Sequence, residues 1–400
     1  MSRIGGHDST RSLVLFAPGY MRIPLSLLLT VPATLAACDA VVRSVLWWRS
    51  RRVKPTESKW IEHPPTPLHG EKPAPPPRIL IVVPARAEGA RLDATLVSAV
   101  GQGAEVLLLL DGRDDLAATK AQERGARVVV KTPGGPSKAA ALAWLVREHR
   151  ELVAQFDVVI VIDTGSRFAP GFFEHFTWPG QAAAAQAYLS GTSHGVGAAA
   201  AASESVAQNG EDRGREAYGW NVRLRGTGSA FRTATFLDLM PRLVTRVEDH
   251  EATLLLTAHG QTIRMIPPPA LIFDDKPDGA TAAASQRSRW LLGRYELLIR
   301  RAPAFVRVLR RRPVEGLALL VEIFGRPLSL TAPLRLVAAA LLFRNDQPFF
   351  ATALALTAAG DVAMHAAVHR RSPGAVLRLA GSWLLAVLFA PRALARWMRP

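Results

Sequence analysis

The chain has 400 residues, a formal net charge of +16, and 49% hydrophobic residues. That length allows one soluble domain of roughly 200 to 250 residues with membrane-embedded ends. A basic balance supplied almost wholly by arginine suits phosphate groups, anionic lipid or nucleic acid, but long apolar runs at both ends exclude an ordinary nucleic-acid binder and favour a membrane surface. A single cysteine, Cys38, excludes an intrachain disulfide and a multi-cysteine zinc site, and it fits a reducing cytosol.

Residues 1–53 form the first segment. The apolar run Ile23 to Trp48 predicts a membrane helix, closed by Trp47, Trp48, Arg49, Arg51, Arg52 and Lys54 as its cytosolic edge. Asp39 and Arg43 are expensive in hydrocarbon, which points them to a protein interior or shortens the span. No small-residue cleavage site follows, so a signal peptide fits less well. Residues 54–77 are a proline-rich linker.

A soluble domain is expected over 78–293. ILIVVP at 79–84 and VLLLLD at 106–111 read as buried parallel strands, with a helix over Gly89 to Val100 between them. Further strands are expected at Ala126–Val130, Val158–Ile162 and Thr262–Ile266, and helices at Lys138–Arg147 and Asp249–Ala258. This alternation argues an α/β sheet with its chemistry at the strand C-termini. The alanine-rich stretch from Gln181 to Ala202 reads as a surface loop with a small-residue helix.

Beyond Trp290, apolar residues and arginines interleave, so 294–313 is expected to be a basic helix lying in the membrane interface. The region 314–400 is expected to hold two to four spans, at about 317–342, 348–368 and 375–388.

Acidic residues recur at the predicted strand ends: Glu88, Asp111 with Asp115, Asp163, and Glu248 with Asp249. Singly each is an ordinary turn or cap residue. As an ordered series they suit group transfer, which needs a base, a nucleotide site and positive charge for a leaving diphosphate. Asp249 is a candidate base and Asp111 a nucleotide ligand. Lys138, Arg289 or a metal at Asp163 could meet the diphosphate.

Several motifs in order resemble glycosyltransferase family 2, whose members are inverting enzymes of GT-A fold, and especially its membrane-bound bacterial-type members related to polysaccharide synthases. PARAE at 84–88 resembles the P-A-x-N-E opening, LLLDGRDD the D-D-G-S-x-D nucleotide loop, and SKAAALA at 137–143 the G-K-x-x-A-L-N element. RGTGSAFR at 225–232 resembles the glycine-rich acceptor segment, VEDHE the T-E-D helix start, and QRSRW at 286–290 the Q-x-x-R-W ending. The resemblance implies a Rossmann-like mixed α/β sheet flanked by transmembrane helices. It places Asp249 and Glu248 at the catalytic position, and Pro84, Glu88, Asp111, Asp115, Lys138 and Asp163 on the donor side. Gly226, Gly228, Arg232, Gln286, Arg289 and Trp290 fall on the acceptor and diphosphate side.

The implied activity is inverting transfer of a sugar, a hexose by class, from a nucleotide-diphosphate donor to a hydroxyl of a lipid-linked or polysaccharide acceptor. The expected setting is the inner (plasma) membrane, multi-pass, with the catalytic domain cytosolic and no nucleic acid as partner. The alternative is a catalytically inactive membrane protein that binds nucleotide sugars. A nucleotidyltransferase would need a glycine-rich phosphate loop that PARAEGARLDA lacks. The family's D-x-D metal element reads DTGS here, so Asp163 remains but Gly165 replaces the second acid. That weakens the expectation of magnesium or manganese. Ala87, Leu110, Arg113 and Ala143 also depart from the pattern.

Overall fold

A computed structural model describes residues 25–52, 77–86, 89–191, 195–276, 280–326 and 328–368. Glu88, nearly all of the proline-rich linker and the apolar stretch at 375–388 lie outside the described residues.

The ten described strands are β1 (Ile79–Ala85), β2 (Glu105–Asp111), β3 (Arg127–Lys131), β4 (Val158–Val161), β5 (Ser166–Phe168), β6 (Ala184–Gln186), β7 (Tyr188–Ser190), β8 (Ser229–Arg232), β9 (Ile263–Met265) and β10 (Leu271–Asp274). Seven make one sheet in the order β3-β2-β1-β4-β8-β6-β9, and three make a smaller sheet, β5-β10-β7. Strands β3, β2, β1 and β4 are parallel, whereas β8 runs antiparallel to both β4 and β6. The architecture is therefore a mixed α/β sheet.

The apolar runs are continuous because both faces are covered. Alternate residues of one strand enter different cores. Leu80, Val82, Leu107 and Leu109 pack with Leu142 and Leu145 of the helix Lys138–Glu148 and with Leu254 and Leu256 of the helix Glu248–Ala258. Ile81, Val83, Leu108 and Leu110 pack on the other face with Leu92 and Leu96 of the helix Gly89–Val100. β1 pairs with β2 on one side and β4 on the other, so a crevice opens at the C-terminal ends of these strands.

The alanine-rich stretch differs from its reading as a surface loop. Ala184, Ala185 and Gln186 are fully buried in β6, between β8 and β9. Small side chains fit where a central strand is packed on both faces, and the lack of bulky apolar residues hid it. The Gln186 amide donates to the Ala187 and Thr227 carbonyls at 3.0 and 2.9 Å, and its oxygen accepts from the Arg225 amide at 2.9 Å. Gln186 thereby fixes the start of the RGTGSAFR segment.

Outside the sheet, the helix Leu25–Arg52 packs along Pro313–Gly325, Leu328–Arg344 and Pro348–Val368. Two helices, Leu29–Arg52 and Pro348–Ala367, are long and apolar enough to cross a membrane. The region expected as the first C-terminal span holds two helices, Pro313–Gly325 and Leu330–Arg344, bent by 84° and together long and apolar enough for one broken span. Asp39 and Arg43 face the bundle interior: Arg43 Nε donates to Asp39 at 2.8 Å, and Asp361 accepts from both Arg43 and Arg335. The basic segment after Trp290 forms two helices, Ala280–Arg300 and Ala302–Arg311. The second turns Ala304, Phe305 and Val308 inward and leaves Arg307, Arg310 and Arg311 exposed.

The short helix Arg213–Ala217 lies against the helix Leu25–Arg52, and Gly214 carries no side chain where the Leu46 carbonyl crosses it. Glu216 on this helix accepts from the Met265 amide at 2.8 Å. Burial pushes its carboxyl up to about 7 against the pull of that amide and of Arg264. Its folded pKa thus exceeds the unfolded one, so its proton favours the folded state at acid pH, and stability falls as pH climbs from about 4.5 to about 7. Glu216→Gln is expected to match the parent near the lower end of that window and to exceed it above the upper end. The gain is on the order of 1–3 kcal/mol, read as melting temperature against pH.

Candidate active site

Three chain segments meet at the Lys138 ammonium. Lys138 opens its helix behind the cap Ser137, whose hydroxyl accepts from the Ala140 amide at 3.2 Å. The ammonium lies 2.6 Å from Asp163 Oδ1 and 3.0 Å from Glu248 Oε1, and it donates to the Gly226 carbonyl at 2.9 Å. Asp163 follows β4, and its amide donates to the Thr227 hydroxyl at 3.1 Å. Glu248 and Asp249 occupy the first turn of their helix, where its dipole favours negative charge.

Gly226 shows why this place needs a bare backbone. Its φ is +78°, and a Cβ there would stand 3.5 Å from Lys138 Nζ, 3.6 Å from Asp249 Oδ2 and 3.7 Å from Asp163 Oδ2. The space between base candidate and ammonium is kept open by the missing side chain. Gly228, with φ +67°, is constrained differently: a Cβ would press on Ile272 and Ala187. It is a packing glycine beneath the site.

Burial and charge separate the two adjacent carboxyls. Burial lifts Asp249, but the His250 ring and backbone N–H, together with Lys138, outweigh it and hold Asp249 down to about 2. The His250 amide donates to Asp249 Oδ1 at 2.8 Å, with ring Nδ1 at 3.1 Å. Burial raises Glu248, and Asp249 and Asp163 add to it against Lys138. Lys138 itself is lowered by burial, yet Asp163 and Glu248 bring it above the ordinary lysine value. Two neighbouring carboxyls with environments pushed apart are the usual mark of divided roles.

The donor-side residues divide. Pro84 lies in β1, half-buried opposite Leu109. Asp111 ends β2 with its Oδ1 taken by the Gly135 amide at 2.6 Å and with Lys131 at 3.3 Å, so one oxygen holds the loop before Lys138 in place. Asp115 is exposed, pairs with Arg113 at 3.0 Å, and is not brought into the Lys138 cluster. On the acceptor side, Arg232 is also not brought in: it pairs in register with Val158, at the opposite end of β4 from Asp163, and donates to the Ala182 and Gly180 carbonyls.

QRSRW lies on the helix Ala280–Arg300. Arg289 is exposed, Gln286 is half-buried, and Trp290 packs on the core beside the helix Glu248–Ala258. The residues turned inward are Arg287 and Ser288. Further along, Arg294 reaches His250 Nε2 at 3.4 Å, and burial pulls its guanidinium down to about 10. His250, Arg294 and Thr227 were missed by sequence reasoning. Only His250 carried a signal, as a titratable residue directly after the acidic pair.

The surroundings of Asp163 do not fit a divalent metal. The Ser166 hydroxyl donates to Asp274 at 3.0 Å and accepts from Thr227 at 3.0 Å, so it is already engaged. At Gly165, φ +93°, a Cβ would lie 3.2 Å from Arg91 Nε. The position of a second acidic ligand is therefore faced by a guanidinium, and Asp163 itself holds an ammonium. Among the described residues no group of three or more His, Cys, Asp or Glu side chains is arranged to hold a metal.

No family model and no curated protein matches the chain. Among solved structures it is similar to a mannosyltransferase from Pyrobaculum calidifontis in complex with GDP-Man and Mn2+, at 17% identity and TM-score 0.47, covering 90% of this chain and 99% of that one. It is also similar to glucosyl-3-phosphoglycerate synthase from Mycobacterium tuberculosis in complex with Mn2+, UDP and phosphoglyceric acid, at 19% identity and TM-score 0.33, covering 54% of this chain and 78% of that one. Both are glycosyltransferases. At these identities and TM-scores the likeness decides nothing about activity, which has to be read from the site.

Proposed function

We propose that the chain is a membrane-anchored, inverting glycosyltransferase of GT-A type that moves a sugar from a nucleotide-diphosphate donor to an acceptor hydroxyl. The observation that carries this reading is the Lys138 ammonium held between Asp163 and Glu248, beside Asp249 and the bare backbone of Gly226. Base and cation both face the bare backbone of Gly226, where a Cβ would lie 3.6 Å from Asp249 Oδ2 and 3.5 Å from Lys138 Nζ.

In the proposed reaction the acceptor oxygen attacks the anomeric carbon and the bond to the diphosphate oxygen breaks, its electron pair leaving with the diphosphate. Attack and departure occur on opposite faces, so the configuration inverts. The acceptor proton passes to Asp249. A carboxylate held near 2 is a weak base towards a free alcohol. It is adequate late in the transition state, once the attacking oxygen carries positive charge and its proton is strongly acidic. Lys138 meets the negative charge that develops on the diphosphate.

The apolar helices Leu29–Arg52 and Pro348–Ala367 would anchor the domain, and the exposed arginines of Ala302–Arg311 would rest on anionic headgroups. A lipid-linked or polysaccharide hydroxyl is the acceptor this setting favours. The test is a thermal-shift screen of nucleotide sugars on detergent-solubilised protein. At a hundred times its dissociation constant a true donor is expected to add roughly 2.7 kcal/mol of stability. No shift with any nucleotide sugar would contradict the proposal.

A further inference from the structure

We infer that Arg91 and Lys138 together occupy the role of a divalent ion at the donor's diphosphate, so that binding and transfer proceed without metal. The inference rests on the glycosyltransferase reading above and adds a residue, Arg91, that no motif had singled out.

Arg91 lies in the first turn of the helix Gly89–Val100, which follows β1 in the chain. That helix is pinned to the DTGS loop. The Thr95 hydroxyl accepts from the Gly165 amide at 2.9 Å and donates to the Ser166 carbonyl at 2.8 Å, and Ser98 accepts from the Phe168 amide at 3.1 Å. These bonds set the guanidinium against Gly165, with Nε, Cζ and one terminal nitrogen 3.2 to 3.4 Å from where a Cβ would be. A carboxylate at 165 would have to shift the Arg91 guanidinium and would then neutralise it. The glycine and the arginine therefore form one device.

Asp274 feels the charge of Arg91 through space, but no acid among the described residues forms an ion pair with it. Asp274 is paired with Lys276 and accepts from Ser166, while Asp163 is held by Lys138. Arg91 is exposed, and its guanidinium makes no hydrogen bond or ion pair among the described residues. A planar guanidinium with free donors matches two phosphate oxygens, and a helix N-terminus adds positive potential of the same sign. Arg91 on one side of Gly165 and Lys138 between Asp163 and Glu248 thus place two cationic groups where the D-x-D pattern would hold a metal. The diphosphate gains one negative charge on leaving, and both cations are in place before it does.

The experiment is calorimetric titration of the full, detergent-solubilised chain with UDP and with GDP, in excess EDTA and in millimolar manganese. The diphosphate that binds is expected to do so equally in both, within about threefold. Arg91→Ala is expected to weaken it by about 10- to 100-fold while uridine or guanosine binding stays unchanged, and Arg91→Lys to recover part of the loss. Binding that EDTA weakens by about tenfold or more and manganese restores overturns the inference but leaves the transferase reading standing. An unchanged affinity in Arg91→Ala also overturns it. Failure of both diphosphates to bind under either condition overturns the inference and the transferase reading together.

Discussion

Asp249→Asn is expected to slow sugar transfer by about 10²–10⁴-fold while leaving donor affinity within a small factor of the parent. The amide keeps the shape of the side chain and can still accept from the His250 amide, but it cannot take the acceptor proton. The loss should therefore fall on kcat, and on kcat/KM for the acceptor. Glu248→Gln is a useful contrast, because Glu248 faces Lys138 and should act through the ammonium. Single-turnover transfer with calorimetric donor affinity separates the two effects. Near-normal transfer by Asp249→Asn would remove Asp249 as the base.

The second large effect lies in the helix bundle. Asp361→Asn is expected to destabilise the protein by about 3–5 kcal/mol. Asp361 pairs with Arg43 and with Arg335, a guanidinium that is fully buried and whose other described hydrogen bond is to the Thr331 carbonyl. Removing the carboxylate strands Arg335 among apolar helices, while Arg43 retains Asp39. Replacing both partners, as in Arg335→Met with Asp361→Asn, should recover much of the loss. Thermal denaturation of the four proteins in one detergent reads the coupling. A melting temperature unchanged by the single substitution would show that the charge has another partner.

The parallel strands were legible because burial on both faces leaves an unbroken apolar run, as in ILIVVP and VLLLLD. Local signals also gave the helices at Gly89, Lys138 and Glu248, and with them the side chains that meet around Lys138. β6 was not legible: its alanines say nothing until the neighbouring strands are known to press from both sides. Helix phase was not legible at QRSRW, since residues two apart on a helix face different ways and only packing turns Arg287 inward and leaves Arg289 exposed. Asp111 matched a nucleotide loop, but no spacing rule could reveal that Gly135, 24 residues later, takes one of its oxygens. The pairing of Arg43 with Asp361 spans 318 positions and is a product of tertiary structure alone. Arg91 was hidden for the same reason, because its meaning depends on the loop against which its helix is pinned.

The most direct measurement is movement of labelled sugar from a panel of nucleotide sugars into the membrane fraction of cells producing the chain, where native acceptors are present. With at least one donor the parent is expected to label the membrane fraction, with or without EDTA, and Asp249→Asn is expected to leave it unlabelled. Labelling by Asp249→Asn equal to the parent, or no labelling from any nucleotide sugar, would contradict the account.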